Sequence, residues 1–139
     1  RHAGYRRAMQ EAGLNPRASE LNSRDGEEMG YLAAKLLLQH HDPPTAIFAG
    51  DDTGARGVYK AARDMGISIP DQLSVVGFND TPDAPALQPP LTSVRVFTDE
   101  LGKQLAESLL KLISRPDMPL RDLTLPTQLI RRESCAPLP

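Results

Sequence analysis

Two short apolar runs with a helical stripe between them constrain this chain more than any other feature. Thr45–Ala49 (TAIFA) and Leu73–Phe78 (LSVVGF) are continuous, apolar and rich in residues that favour strands, and both are too short for helices. Between them Ala55, Val58, Tyr59, Ala62 and Met65 recur at helical spacing. Asp52, a helix-capping residue type, precedes that stripe, and Gly66 is placed to end it. Strand, helix and second buried strand make a βαβ unit, whose crossover implies parallel neighbours and, as a rule, a right-handed connection. The expected class is α/β, a parallel sheet flanked by helices.

The rest of the chain extends that pattern. Tyr5, Ala8, Met9 and Ala12 predict an opening helix ended by Gly13 and Pro16. Asp25 with Glu28 three residues on predicts another helix start. Its expected apolar face is Met29, Leu32, Ala33 and Leu36, and Pro43–Pro44 forbid continuation. Thr81–Pro90 reads as an irregular loop and Thr92–Val96 as a third extended segment. Asp99–Ser114 reads as a helix with Leu101, Leu105, Leu109 and Leu112 on one side, and Leu129–Ile130 as a last short strand. The 139 residues, without internal repeats, suit a single core.

Composition excludes several functions. The formal net charge is −2, and the Arg6–Arg7 and Arg131–Arg132 pairs are too small to supply the clustered basic charge that drives nucleic-acid binding. No apolar run is long enough to cross a bilayer, and no signal-peptide pattern follows Arg1. Cys135, the single cysteine, has no partner for an internal disulfide, which suits a reducing cytosol. The expected location is cytoplasmic, with no membrane partner. Nothing in the sequence calls for a cofactor or a metal.

Open parallel sheets bind ligands at the carboxyl ends of their strands. Both strong strand predictions end in polar clusters there, Gly50–Asp51–Asp52 and Asn79–Asp80–Thr81. Adjacent parallel strands would set the clusters side by side, as recognition of a small polar molecule needs. Asp52 is expected to cap the helix and Asp80 to belong to a turn. For Asp51 and Asn79, ligand binding and a structural role both remain open.

Other chemistries fit worse. Gly50, Gly54 and Gly57 lack the Gly-Lys-Ser/Thr ending of a phosphate loop and suit a tight turn and close helix packing. Asp51, Asp52, Asp80 and Asp83 could hold magnesium for phosphotransfer, but no suitable nucleophile or lysine accompanies them. His40–His41–Asp42 lies where a helix C-terminus favours histidine in any case. No nucleophile–base set suggests an enzyme.

Several ordered motifs then coincide with one family. Thr45 to Val94, TAIFAGDDTGARGVYKAARDMGISIPDQLSVVGFNDTPDAPALQPPLTSV, resembles the signature region of the lactose/galactose repressor (LacI/GalR) family of bacterial regulators. The opening RHAGYRRAMQEAGL resembles its Arg-x-x-Gly helix, and LPTQLIRRES, Leu125 to Ser134, is similar to its closing strand. The resemblance implies a periplasmic-binding-protein-like fold of two α/β subdomains around a ligand cleft. Residues 1–139 would be a partial effector-binding and dimerisation domain, mostly the C-terminal subdomain. Residues 97–120 would belong to an N-terminal subdomain otherwise missing, and the helix-turn-helix head would be absent.

By motif position the resemblance implies that Arg1, Asp51 and Asn79 contact the effector. An arginine fork donates and amide or carboxylate oxygens accept, which suits a carbohydrate-like ligand. Two departures matter: Asn79 stands in place of a carboxylate, and Val96 where many members carry glutamine. The resemblance further implies a homodimer using Ala55, Arg56, Tyr59, Pro89 and Pro90, operator DNA bound only through the absent head, and control by allostery rather than catalysis. The alternative is a periplasmic sugar-binding protein for transport, on the same fold. The PPLTSV and LIRRES endings favour the regulator.

Overall fold

A computed structural model describes residues 1–19, 25–119 and 122–137. In chain order the elements are α1 (His2–Glu11), α2 (Gly26–Leu38), β1 (Ala46–Phe48), α3 (Asp52–Asp64), β2 (Ser74–Asn79), β3 (Thr92–Arg95), α4 (Thr98–Ser114) and β4 (Gln128–Ile130), with a 3₁₀ turn at Ala84–Ala86. The sheet order is β1-β2-β3-β4. β1, β2 and β3 are parallel, in the register Phe48↔Val76↔Thr92, and β4 runs antiparallel to β3 with Val94 opposite Leu129. The expected βαβ unit is therefore present, with β1 at the sheet edge.

The two sheet faces differ. Val75, Gly77 and Ser93 are buried on the face that α3 covers, where Ala55, Val58, Ala61, Ala62 and Leu73 complete the core. Val76, Phe78 and Val94 on the other face are half-buried, and Phe48 and Leu129 at its margins are exposed. α3 ends as the sequence predicts: Gly66 takes φ +68°, and the Ile67 N–H reaches back to the Ala62 carbonyl at 2.9 Å.

α2 starts as expected, with the Asp25 carboxylate accepting from the Glu27 and Glu28 N–H groups at 2.8 and 3.3 Å. Its buried face is not the expected one. Leu32 and Leu36 are exposed, and Ala34 and Leu38 are buried instead. The cause is the crossing with α3, where backbone meets backbone. A Cβ at Gly30 would collide with the Gly54 carbonyl, and one at Gly57 with the Glu27 carbonyl oxygen and the Tyr31 amide. Contact that close gains dispersion from main-chain atoms, so it selects the glycine side of α2 over its leucine side. The reading of these glycines as close helix packing thus holds for Gly57, with Gly30 as its counterpart.

α4 departs further. It has the expected extent within one residue, yet buries no residue, and Leu105, Leu109, Leu110 and Ile113 are each more than half exposed. Among the described residues no helix is long and apolar enough to cross a membrane.

Candidate functional site

The carboxyl edge of the parallel strands gathers the residues singled out in the sequence. Arg1, immediately before α1, donates from its guanidinium to the Gly50 carbonyl beyond β1. The same guanidinium lies 4.8 Å from the centre of the Phe78 ring at the end of β2, a cation–π distance. Asp51 follows Gly50 and Asn79 follows Phe78, so one arginine spans the two strand ends that carry the other two candidates. Arg1 and Asn79 are exposed and Asp51 is half-buried. Phe78 as the platform for Arg1 was hidden in the sequence, where it passes for one more apolar strand residue.

The four aspartates separate into distinct roles. Asp51, not Asp52, caps α3, accepting from the Gly54 N–H at 2.7 Å. Asp52 is 1% exposed and acts as an internal tie. Its carboxylate accepts from the Thr81 N–H at 2.6 Å, the Thr81 hydroxyl at 3.1 Å and the Ser93 hydroxyl at 2.6 Å. A Cβ at Gly77 would strike that carboxylate, which explains a glycine within a central strand.

Asp80 is more than a turn residue. Its side chain is 2% exposed and lies between Arg95 of β3 and Arg132 beyond β4. Arg95 places Nε and Nη2 at 2.7 and 2.6 Å from one carboxylate oxygen. Arg132 Nη1 lies 2.7 Å from the other, though it donates to the Leu91 carbonyl at 2.6 Å. Burial alone would raise the Asp80 pKa, but the two guanidiniums outweigh it and hold the carboxyl below its usual value. Asn79 and Asp80 take φ 104° and 56°, consecutive non-glycine residues in the left-handed region. Asp83 pairs with Arg56, which also binds Glu27 at 3.1 Å. Each aspartate is thus engaged by protein donors. Among the described residues no group of three or more His, Cys, Asp and Glu converges on a metal position.

On the flank, Arg56 ties α2 and α3 to the loop through Glu27 and Asp83, and the Glu27 hydrogen bond raises its pKa further. The Tyr59 hydroxyl donates to the Pro89 carbonyl at 2.9 Å, and burial pushes its pKa up to about 12. Pro89 and Pro90 are half-buried, whereas Ala55 is 0% exposed. Ala55 therefore packs under α3 in the core and is not part of its outer surface. Val96 is half-buried just past β3.

Comparison with known proteins agrees with this architecture. The family model described as "Periplasmic binding protein-like domain" matches residues 1–135. The ribose operon repressor of Escherichia coli K12 is 36% identical over 132 residues, covering 94% of this chain and 40% of the repressor. A LacI-type putative transcriptional regulator from Bacillus cereus subsp. cytotoxis superimposes with a TM-score of 0.89 at 30% identity, covering 96% of this chain and 48% of that one. A LacI family regulator from Enterococcus faecalis V583, solved with bound ribose, superimposes with a TM-score of 0.75 at 35% identity, over 81% of this chain and 41% of that one. The chain thus spans less than half the length of each of these proteins.

Proposed function

Since the chain belongs to the LacI/GalR family of bacterial transcription regulators, we propose that it is the effector-sensing and dimerisation part of such a regulator. The observation that carries the reading is the single arginine joining two strand ends, Arg1 on Gly50 and Phe78, with Asp51 and Asn79 beside it. A fork of donors flanked by a carboxylate and an amide suits a ligand bearing vicinal hydroxyls. The ribose bound to the Enterococcus faecalis neighbour supports a carbohydrate-like effector.

Residues 97–120 belong, on this reading, to a second subdomain across the cleft, which accounts for the uncovered leucines of α4. Effector binding shifts the populations of two subdomain arrangements, and an N-terminal head outside this sequence converts the shift into altered operator binding. That coupling is typically about 1–3 kcal/mol and acts reciprocally on effector and DNA. The homodimer forms through Arg56, Tyr59, Pro89 and Pro90 on the α3 flank, in the cytoplasm, and no step is catalytic. A transport role is disfavoured because the E. coli relative sharing this region is a repressor.

Thermal unfolding of the protein against sugars, sugar phosphates and nucleobases tests the reading. A ligand at 100 times its dissociation constant adds about 2.7 kcal/mol of apparent stability. Asp51→Ser keeps a capping oxygen for α3 but shortens its reach, so it should weaken the ligand that scores by about 1–3 kcal/mol. No shift across the panel would refute sensing of a small polar metabolite, and an unchanged Asp51→Ser affinity would remove Asp51 from the site.

A further inference from the structure

Two adjacent residues with positive φ are costly unless neighbouring structure holds them, and here that cost falls at the mouth of the candidate site. A non-glycine residue in the left-handed region costs about 1–2 kcal/mol, and such strain concentrates where geometry serves a function. Asn79 and Asp80 both adopt it, one strand-end residue after Phe78. The turn is gripped from two sides. On its backbone, the Asp80 N–H donates to the Ser93 hydroxyl at 3.1 Å, Ser93 donates to Asp52 at 2.6 Å, and the Thr81 N–H donates to Asp52 at 2.6 Å. On its side chain, Asp80 lies between Arg95 and Arg132.

The placing of these arginines matters. Arg95 is the last residue of β3, opposite both Asn79 of β2 and Gln128 of β4. Arg132 lies two residues beyond the end of β4, where its N–H donates to the Thr92 hydroxyl at 2.9 Å. β3 leads out to α4 and β4 leads back. One buried carboxylate therefore meets Arg95, where β3 leaves for the 97–120 segment, and Arg132, just beyond the strand that brings the chain back. Its second oxygen has ionic contact with Arg132 but no aligned donor among the described residues, so the grip is not saturated.

We propose that Asp80 is a positioning residue: clamped by Arg95 and Arg132, it holds the Asn79–Asp80 turn in its left-handed conformation, presents Asn79 at the site, and ties that site to the two strands flanking residues 97–120. The proposal rests on the site assigned above. It makes Asp80 distinct from Asn79, which would touch the ligand while Asp80 would not.

The test combines amide hydrogen exchange with titration by D-ribose, on the complete chain. In Asp80→Asn, nearly isosteric but uncharged, exchange at Asn79, Asp80 and Thr81 should quicken about tenfold or more while Leu73 and Val75 keep their protection. Arg95→Gln, on a partly exposed side chain, should reproduce that pattern, and Arg95→Lys should recover part of it. Asp80→Asn/Arg95→Gln should do little more than either single change, because both break one network. Ribose affinity should fall in the same order. Uniform quickening across the core, or an untouched turn, would overturn the proposal, as would a loosened turn with full ribose affinity. If Asp80→Asn does not fold, Arg95→Gln and Arg95→Lys carry the same comparison. Ribose binding to no form would count against the sugar-site reading, while the exchange pattern would still decide whether the clamp exists.

Discussion

α3 and α4 are both amphipathic helices, of 13 and 17 residues, and their fates are opposite. α3 buries seven residues, from Asp52 to Ala62, against the sheet and α2; α4 buries none. An apolar stripe records that a helix has a face to cover, and leaves the identity of the cover to tertiary structure. In α3 the cover arrives with the next strand, through a short βαβ crossover. In α4 no cover is present among the described residues, and the proposed second subdomain across the cleft is what would supply one. The difference also shows in residue choice, since α3 approaches its neighbour through glycine and alanine, and α4 presents leucine and isoleucine.

Truncating one leucine in each region should widen that contrast most. Leu73→Ala, at a fully buried site beside α3, should cost about 2–5 kcal/mol in urea unfolding. Leu109→Ala on α4, 58% exposed, should stay within about 0.5 kcal/mol. A large cost at Leu109 in the isolated chain would break the comparison by revealing a cover for α4. Glycine substitution gives the next largest effect. Gly57→Ala should destabilise by about 1–3 kcal/mol, because its methyl group meets backbone that cannot turn aside. Gly102→Ala has open space and should stabilise α4 by up to about 1 kcal/mol. Equal effects at the two glycines would remove the close α2–α3 crossing.

Acid unfolding sharpens the comparison at smaller scale. Asp80 has a folded pKa below its unfolded value of about 3.9, so it favours the folded state above that pH. The contribution disappears as pH falls through the depressed folded value. The acid limb should therefore be shallower in Asp80→Asn than in the parent. Identical limbs would show that the arginines do not favour the ionised form.

The sequence made the topology legible because parallel buried strands are written as unbroken apolar runs, and because Gly66 marks a helix end that few other residues could make. Contacts that depend on nearness were less legible. The outward leucines of α2 outweighed its glycine in any apolar tally, though Gly30 makes the closer contact. Asp51 and Asp52 are equally good caps by type, and backbone geometry alone gives the cap to Asp51 and the interior to Asp52. Arg95 and Arg132 appear in the sequence as ordinary surface charges, since their shared partner lies far away along the chain. At the site, motif position brought Arg1, Asp51 and Asn79 forward, whereas the Phe78 platform and the Arg95–Asp80–Arg132 cluster exist only once distant segments are folded together.

The residues after β4 are stitched into the sheet. The Ser134 hydroxyl, fully buried, donates to the Val75 carbonyl at 2.5 Å and accepts from the Thr92 N–H at 2.8 Å, while the Val75 N–H donates to the Ser134 carbonyl at 2.8 Å. A cut after Glu133 would leave buried main-chain groups on two parallel strands without partners, a loss of about 1–3 kcal/mol for each group stranded. Protease trimming or an engineered junction that is harmless in most chain tails would here open the seam between β2 and β3, and any fusion should join beyond Ala136.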